Sequence, residues 1–405
     1  MPHPKLYPYE KTFAELHETL IPYYRSWAHD RPMVLSRERD RELAELARVL
    51  HKACFYYAAH WREYLNFIDY EDKIKDILDY VADRPFHAGT YRPDYLILED
   101  GSLKLCEITS RFFGNGYFLS FFMEHAGRVF AEEAKITDQV TYFEGFLAYM
   151  AALSAGKERL VVLKSADKSD SIRLYAPFYR QLGLAPVIVE APEAEAFLPS
   201  VGNDLLVSAL NQKDLLSYSA DTLKRMADAG MRNDFRTIFL LHDKRFFHLF
   251  FEPSFTNACL TAEETDFLKA HTARTYLYGR QMEIWQDARE HKDGYILKHH
   301  CLGKSEKVFA GCLTAEEEWE ELFASGGVKD MILQPFLRQR RFAGQWQGQT
   351  LQDYVSGTIL TVDDRYFGTG LFRTSSRPVI NQTDAHKIAQ LVTDQWEKLP
   401  FCHRL

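Results

Sequence analysis

The sequence predicts a mixed α/β (α+β) chain built from several packed parts, and three stretches carry that expectation. Apolar residues recur at helical spacing before residue 85, an alternating β-hairpin occupies residues 91–112, and a strand, loop, helix, strand cadence runs over 158–192.

Taken in order, RELAELARVLHKACFYYAAHWREYL places Leu43, Leu46, Leu50 and Ala53 on one helical face. DKIKDILDYVAD repeats the spacing with Ile74, Ile77, Leu78 and Val81. After the hairpin, FLSFFMEHAGRVFAEEA reads as a helix. ERLVVLKSADKSDSIRLYAPFYRQLGLAPVIVEAP then reads as an α/β unit, and residues 204–210 add a further short strand. RTIFLLHDKRFFHLFFEP is expected to be a strand running into a helix. Polar helices follow, then three strand candidates: GYILKHH, DMILQPFL and TLQDYVSGTILTVDDRYFGTGLFRTSS, the last with its own hairpin. A terminal amphipathic helix is expected to carry Ile388, Leu391, Val392, Trp396 and Leu399 on one side. No internal repeat or low-complexity linker separates these parts, so they are expected to pack together: 1–85 helical, 86–155 hairpin and helix, 156–235 an α/β unit, 236–405 the remainder.

The chain has 405 residues, 46% hydrophobic and 26% charged, with a net charge of −8. No Lys/Arg block stands against that balance, which argues against a broad nucleic-acid or anionic-membrane surface and makes any phosphate contact local. The six cysteines (54, 106, 259, 301, 312, 402) show no CxxC pair, the start MPHPKLYPYEKTF lacks a signal-peptide core, and no apolar run has the length of a membrane span. A cytoplasmic protein is expected.

The hairpin YRPDYLILEDGSLKLCEITSRF raises a chemical question. A two-residue Asp100-Gly101 turn would pair Leu98 with Leu103, Leu96 with Leu105, Asp94 with Glu107 and Arg92 with Thr109, all on one face. Opposed like charges cost a few tenths of a kcal/mol to about 1 kcal/mol, so a cation should hold the two carboxylates. Arg92 could do so in a plain salt-bridge cluster. A divalent ion is the other answer, and hard oxygen ligands suit Mg²⁺.

Further along, Lys244 follows TIFLL and Lys298 ends YILK. Each alone reads as a solvated strand end. Together they would supply two phosphate-neutralising charges beside a third strand in which Gln334, Pro335, Phe336 and Leu337 frame an apolar slot able to hold an adenine. Arg373, in GTGLFRTSS, is either a surface arginine or a charge placed where negative charge builds during phosphoryl transfer.

The order RxD, ExT, strand-Lys, strand-Lys, Gln-Pro and a late Gly-to-Arg stretch, GTGLFR, resembles the circularly permuted ATP-grasp family, the glutathionylspermidine synthase-like amide ligases, in which the metal carboxylates precede the nucleotide lysines. The resemblance spans about 84–382 and is most specific in RPDYLILEDGSLKLCEIT. It implies an ATP-grasp-like core, with 86–155 bearing the metal hairpin, 156–235 a substrate domain and 236–405 the nucleotide subdomains. It also implies an ATP-dependent carboxylate–amine ligase that uses ATP and Mg²⁺ and joins a small-molecule acid and amine through an acyl phosphate. By that likeness Arg92 meets the transferred phosphate, Asp94, Glu107 and Thr109 hold Mg²⁺, Lys244 and Lys298 hold the α/β-phosphates, the 334–337 segment frames the adenine, and Arg373 stabilises the reacting phosphoryl group. The family's triplet usually ends in Asn where this chain has Thr109. Its glycine-rich lid is replaced by HHCLGKSEKVFAG, where Lys304 or Ser305 is expected to take phosphate contacts. His299, His300 and Cys301 are expected on alternating faces of a strand, without shared ligation, as lid residues. Ser165 and Arg173, in a hydroxyl-rich loop after a strand, are substrate-facing candidates beside the reading of an ordinary polar loop. Asn115, in RFFGNGYFL, either lines the substrate cavity or serves a chain reversal. A phosphotransferase and a non-catalytic nucleotide-binding module remain as alternatives.

Overall fold

The computed structural model describes residues 26–166, 175–303, 305–380, 386–399 and 402–405. Its spine is the 14-residue strand Gln349–Val362. Antiparallel to it lie Thr90–Ile97 on one side and Phe372–Ser375 on the other, with Leu103–Thr109 and His386–Ile388 at the outer positions, and Arg341–Trp346 and Arg365–Thr369 pairing its two ends. A second antiparallel sheet, in the order Tyr276–Leu277, Met331–Pro335, Tyr295–His299, Val308–Ala310, stands against it. The α/β cadence forms a separate parallel sheet of Arg159–Lys164 flanked by Ala185–Glu190 and Leu205–Ala209.

Helix Arg37–His60 starts at Ser36, whose hydroxyl accepts from the amide of Arg39 at 3.1 Å. Its face of Leu43, Leu46, Leu50 and Ala53 is fully buried in the largest core cluster, as the periodicity predicts. Burying each leucine is worth roughly 1.5–3 kcal/mol. Helices Asp72–Tyr80 and Tyr117–Glu133 also stand where the sequence places them.

Two expectations fail. The apolar run Thr237–Leu241 is a π-helical turn, not a strand, and every residue in it is buried. A short run covered on all sides lacks the alternation that separates strand from helix. The expected C-terminal helix is instead two short strands, His386–Ile388 and Gln390–Val392, and a 3₁₀ turn over Trp396–Lys398. Gln390–Val392 pairs in parallel with Met33–Leu35, which also pairs with His403–Arg404. Both ends of the described chain thus join one three-stranded sheet, a pairing that local periodicity cannot reveal.

The hairpin keeps its critical pair by a different route. The turn is not the expected two-residue one: the Leu98 carbonyl accepts from Gly101, the Leu98 amide donates to Ser102, and only Gly101 takes a positive φ, +82°. This three-residue loop shifts the register by one, pairing Ile97 with Leu103 and Tyr95 with Leu105. A bulge between Asp94 and Tyr95 shifts it back, so that Asp94 faces Glu107 and Arg92 faces Thr109. Leu96 therefore faces Lys104 rather than Leu105.

The spine lies flush against the hairpin at Gly357, where a Cβ would fall 2.1 Å from Cζ of the buried Tyr95. Gly357→Ala should destabilise the fold by about 1–3 kcal/mol through overpacking, read as a lowered urea midpoint with an unchanged slope. An unaltered midpoint would mean the two strands separate at little cost.

Candidate active site

A cleft opens between the two antiparallel sheets. The central sheet contributes Asp94, Cys106, Glu107, Ser356 and Arg373 to its lining, and the second sheet contributes Ile296, Lys298, Val308, Gln334 and Pro335. Phe336 and Leu337 continue that wall, and Ser305 and Gly303 face Pro378, Val379 and Ile380 at the mouth. Residues from five separated stretches of sequence therefore meet in one cavity.

Its polar end is built on the hairpin. Asp94, 2% exposed, accepts from Arg373 Nη2 at 2.7 Å and from Arg92 Nε at 3.3 Å. Glu107 lies 3.5 Å from Lys244 Nζ, and its side chain remains 30% exposed to the cleft. Burial pushes the Glu107 carboxyl up, but Lys244, Lys298 and Arg373 outweigh burial and hold it down at about 2. Lys244 also donates to the Leu302 carbonyl at 2.5 Å, tying the hairpin to the lid. Lys298 is held through its main chain between Ile332 and Val308, and its side chain lines the cleft, where its charge acts on Glu107. Two carboxylates thus sit among four cations, a surplus of positive charge at the end of an apolar slot.

Other groups hold this end in shape. Asn233, fully buried, accepts from the Thr90 amide at 2.8 Å and donates to the carbonyls of Thr90 and Ser110 at 2.7 Å each, clamping the open end of the hairpin. Arg92 Nη1 donates to the Asn115 carbonyl at 3.1 Å. Gly116 has φ +82°, and a Cβ there would lie 2.5 Å from the same guanidinium nitrogen. The loop thus serves as a backbone rest for Arg92, with Asn115 contributing its carbonyl. Lys387 stands directly across from Arg373 on the neighbouring strand. Burial first, then Arg373 and Arg92, lower its amine to about 7. Neither Asn233 nor Lys387 is marked by any motif; only the register shows them.

Thr109 faces Arg92 across the hairpin. Gln334, on the same strand face as Ile296 and Lys298, lines the slot while its side-chain amide donates to Thr275 Oγ1 at 2.9 Å, and the Phe336 amide donates to the Gly294 carbonyl at 2.7 Å, so beyond Gln334 this segment offers chiefly its apolar wall. Ser305 donates to the Ile380 carbonyl at 3.4 Å across the mouth. Ser305 and Lys307 hold φ of +59° and +50°, so the glycine-poor lid bears a left-handed strain of roughly 1–2 kcal/mol per residue. Lys304 and Arg173 lie outside the described residues. Ser165 is fully buried at the end of the parallel sheet and does not line the cleft. Its hydroxyl donates to Asp214 and accepts from the Asn211 amide at 2.7 Å. The alternating-face expectation for His299, His300 and Cys301 fails because the strand ends at His299 and the chain turns. One ligating atom from each lies within 4.8 Å of the others.

Because the Lys387 pKa is lowered on folding, its buried ammonium costs stability below about pH 7, and that cost lifts as pH rises from there toward the unfolded value of 10.5. A bound polyanion should reverse the shift. Calorimetric titration with a nucleoside triphosphate near pH 7.5, in buffers of different ionisation enthalpy, should show proton uptake that Lys387→Met removes; equal heats in all buffers would count against it.

The family described as AnkG N-terminal domain matches residues 48–240, somewhat less than half of the chain. No curated protein matches the sequence. Among solved structures, the chain is similar to a glutathione synthetase-like effector from Globodera pallida in its apo form, with a TM-score of 0.57 and 12% identity, covering 95% of this chain and 96% of that one. At such identity the likeness is one of fold: the chain has an α+β, ATP-grasp-like architecture over nearly its whole length.

Proposed function

We propose that the protein is an ATP-dependent carboxylate–amine ligase that joins two small molecules through an acyl phosphate. The observation that carries this reading is the cleft itself: Asp94, Glu107, Lys298 and Arg373 stand at one end of an apolar slot walled by Ile296, Pro335, Phe336 and Leu337. That is the division of labour a nucleoside triphosphate requires, an apolar surface for the base and concentrated positive charge for the phosphates. The fold neighbour, named as glutathione synthetase-like, agrees with a ligase.

In this reading Lys244 and Lys298 hold the inner phosphates, and Arg92 and Arg373 meet the γ-phosphoryl group. Asp94 and Glu107 suit Mg²⁺ by their chemistry, since they are oxygen donors face to face and Glu107 is ionised. When bound, that ion would offset the negative charge of the phosphates. Asp94 becomes available as Arg373 moves from it to the phosphoryl group. The substrate carboxylate oxygen attacks the γ-phosphorus, the bond to the β-phosphate oxygen breaks, and ADP leaves. The amine then adds to the acyl carbon, phosphate departs with the two electrons of its C–O bond, and the proton lost from nitrogen passes to that phosphate. Positioning and charge supply the rate; no protein nucleophile is needed. Ser305 already reaches the Ile380 carbonyl across the cleft, and closure of this segment over bound substrates would protect an acyl phosphate from water.

The test is incubation with ATP, Mg²⁺ and pools of amino acids and amines. ADP and phosphate released only when both acid and amine are present is the expected result. A stable phosphorylated product would indicate a phosphotransferase, and binding without turnover a nucleotide-binding module. Glu107→Gln should lower turnover by about a hundredfold or more with circular dichroism unchanged. Full activity in that variant would remove the metal assignment.

A further inference from the structure

A second polar cluster lies on the other face of the central sheet. Thr374 and His386 pair directly across adjacent strands, as do Arg373 and Lys387. Opposed residues share a face, so Thr374 and His386 point away from the cleft that Arg373 lines. Beside them are Asp353, from the spine, and His29, from the segment that precedes strand Met33–Leu35 and bonds through its amide to the Lys387 carbonyl at 2.8 Å. His29 Nε2 lies 3.1 Å from Thr374 Oγ1, which donates to Asp353 Oδ2 at 3.0 Å. His386 Nδ1 stands 3.8 Å from that same carboxylate oxygen. One ligating atom from each of His29, Asp353 and His386 falls within 4.8 Å of the others. A third imidazole is adjacent: a Cβ on Gly344 would lie 2.3 Å from His29 Nδ1 and 3.4 Å from His403 Nε2.

The cluster is short of positive charge. Asp353 is 4% exposed, and its partners among the described residues are a neutral hydroxyl and an imidazole. Burial lowers the pKa of His29 to about 4, with His386 and His403 adding to the effect, and burial also lowers those of His386 and His403. All three rings are therefore neutral near pH 7, the form that binds metals. His29 Nδ1 and His386 Nδ1 are both buried without a hydrogen-bond partner among the described residues. A buried carboxylate facing neutral imidazoles is costly unless a cation completes it.

We propose that His29, Asp353 and His386, with His403 beside them, form a divalent-metal site of zinc type. Two nitrogens and one oxygen at roughly 2.0–2.2 Å make a tetrahedral site with its fourth position left for His403 or water. The ion would clasp the segment before the first strand to the middle of the spine and to the strand that follows Arg373, and thus support the sheet that carries the cleft. His299, His300 and Cys301 are the competing cluster. There, His299 Nδ1 already takes the Cys301 amide at 3.3 Å, His300 Nδ1 pairs with Asp243 at 3.0 Å, and burial raises the Cys301 thiol to about 11, against thiolate ligation.

The test uses the full chain stripped by chelator and titrated with Co²⁺ and Zn²⁺. Expected are one equivalent bound, the intense visible absorption of tetrahedral cobalt displaced by zinc, and a Tm that rises with zinc concentration. His386→Ala and the closer-shaped His386→Gln, at a position nearer the surface than His29, should each weaken binding at least tenfold and abolish the zinc-dependent rise in Tm. No stoichiometric binding by the unaltered chain would overturn the proposal, whatever the variants do. So would absorption that survives His386→Gln, or absorption that disappears in His299→Ala instead.

Discussion

Asp94 against Glu107 is the constraint on which the site depends. Two carboxylates on directly opposed residues of a hairpin, one buried and the other at the cleft wall, repel unless positive charge is brought to them. The fold brings it from four directions: Arg92 from the same strand, Arg373 from across the spine, Lys244 from a loop and Lys298 from the second sheet. The hairpin therefore acts as an anionic nucleus around which basic groups from distant sequence are gathered. The gathered charge exceeds what the acids need, and that surplus is what a polyphosphate can use.

The rest of the architecture keeps this arrangement in place. Asn233 closes the hairpin's open end, the bulge beside Asp94 restores the opposition that the turn would otherwise have lost, and the flat contact of Tyr95 on Gly357 fixes the hairpin on the spine. Because Gln390–Val392 and His403–Arg404 flank Met33–Leu35, the two ends of the described chain brace the strands that carry Arg373 and Lys387. The second sheet forms the opposite jaw. The chain passes through the carboxylate strands before the Lys298 strand, yet in space they face one another across one cleft.

Much of this was legible in the sequence where a local rule governs. Leu43, Leu46 and Leu50 declare a helix face, Arg159–Lys164 and Ala185–Glu190 a parallel pair, and the alternation around Asp94 and Glu107 a shared strand face. What local rules could not show were consequences of distant packing. TIFLL became a π-helical turn in a site enclosed on every side, Leu391 and Val392 became a strand against Val34 and Leu35, more than 350 residues away, and Ile388 one against Phe372. The Asp94–Glu107 pairing came out as expected although the turn did not, since the loop and the bulge offset each other. Lys387 and Asn233 carry no motif, because their relation to the site exists only in the register of strands and in one buried amide.

The most direct measurement is a structure of the chain crystallised with a non-hydrolysable ATP analogue and Mg²⁺. The account predicts the base against Phe336 and Leu337, the triphosphate between Lys298 and Arg373, and the ion on Glu107 with Asp94 released from one arginine. An empty cleft in which Asp94 keeps both arginines and Glu107 keeps Lys244 would contradict it.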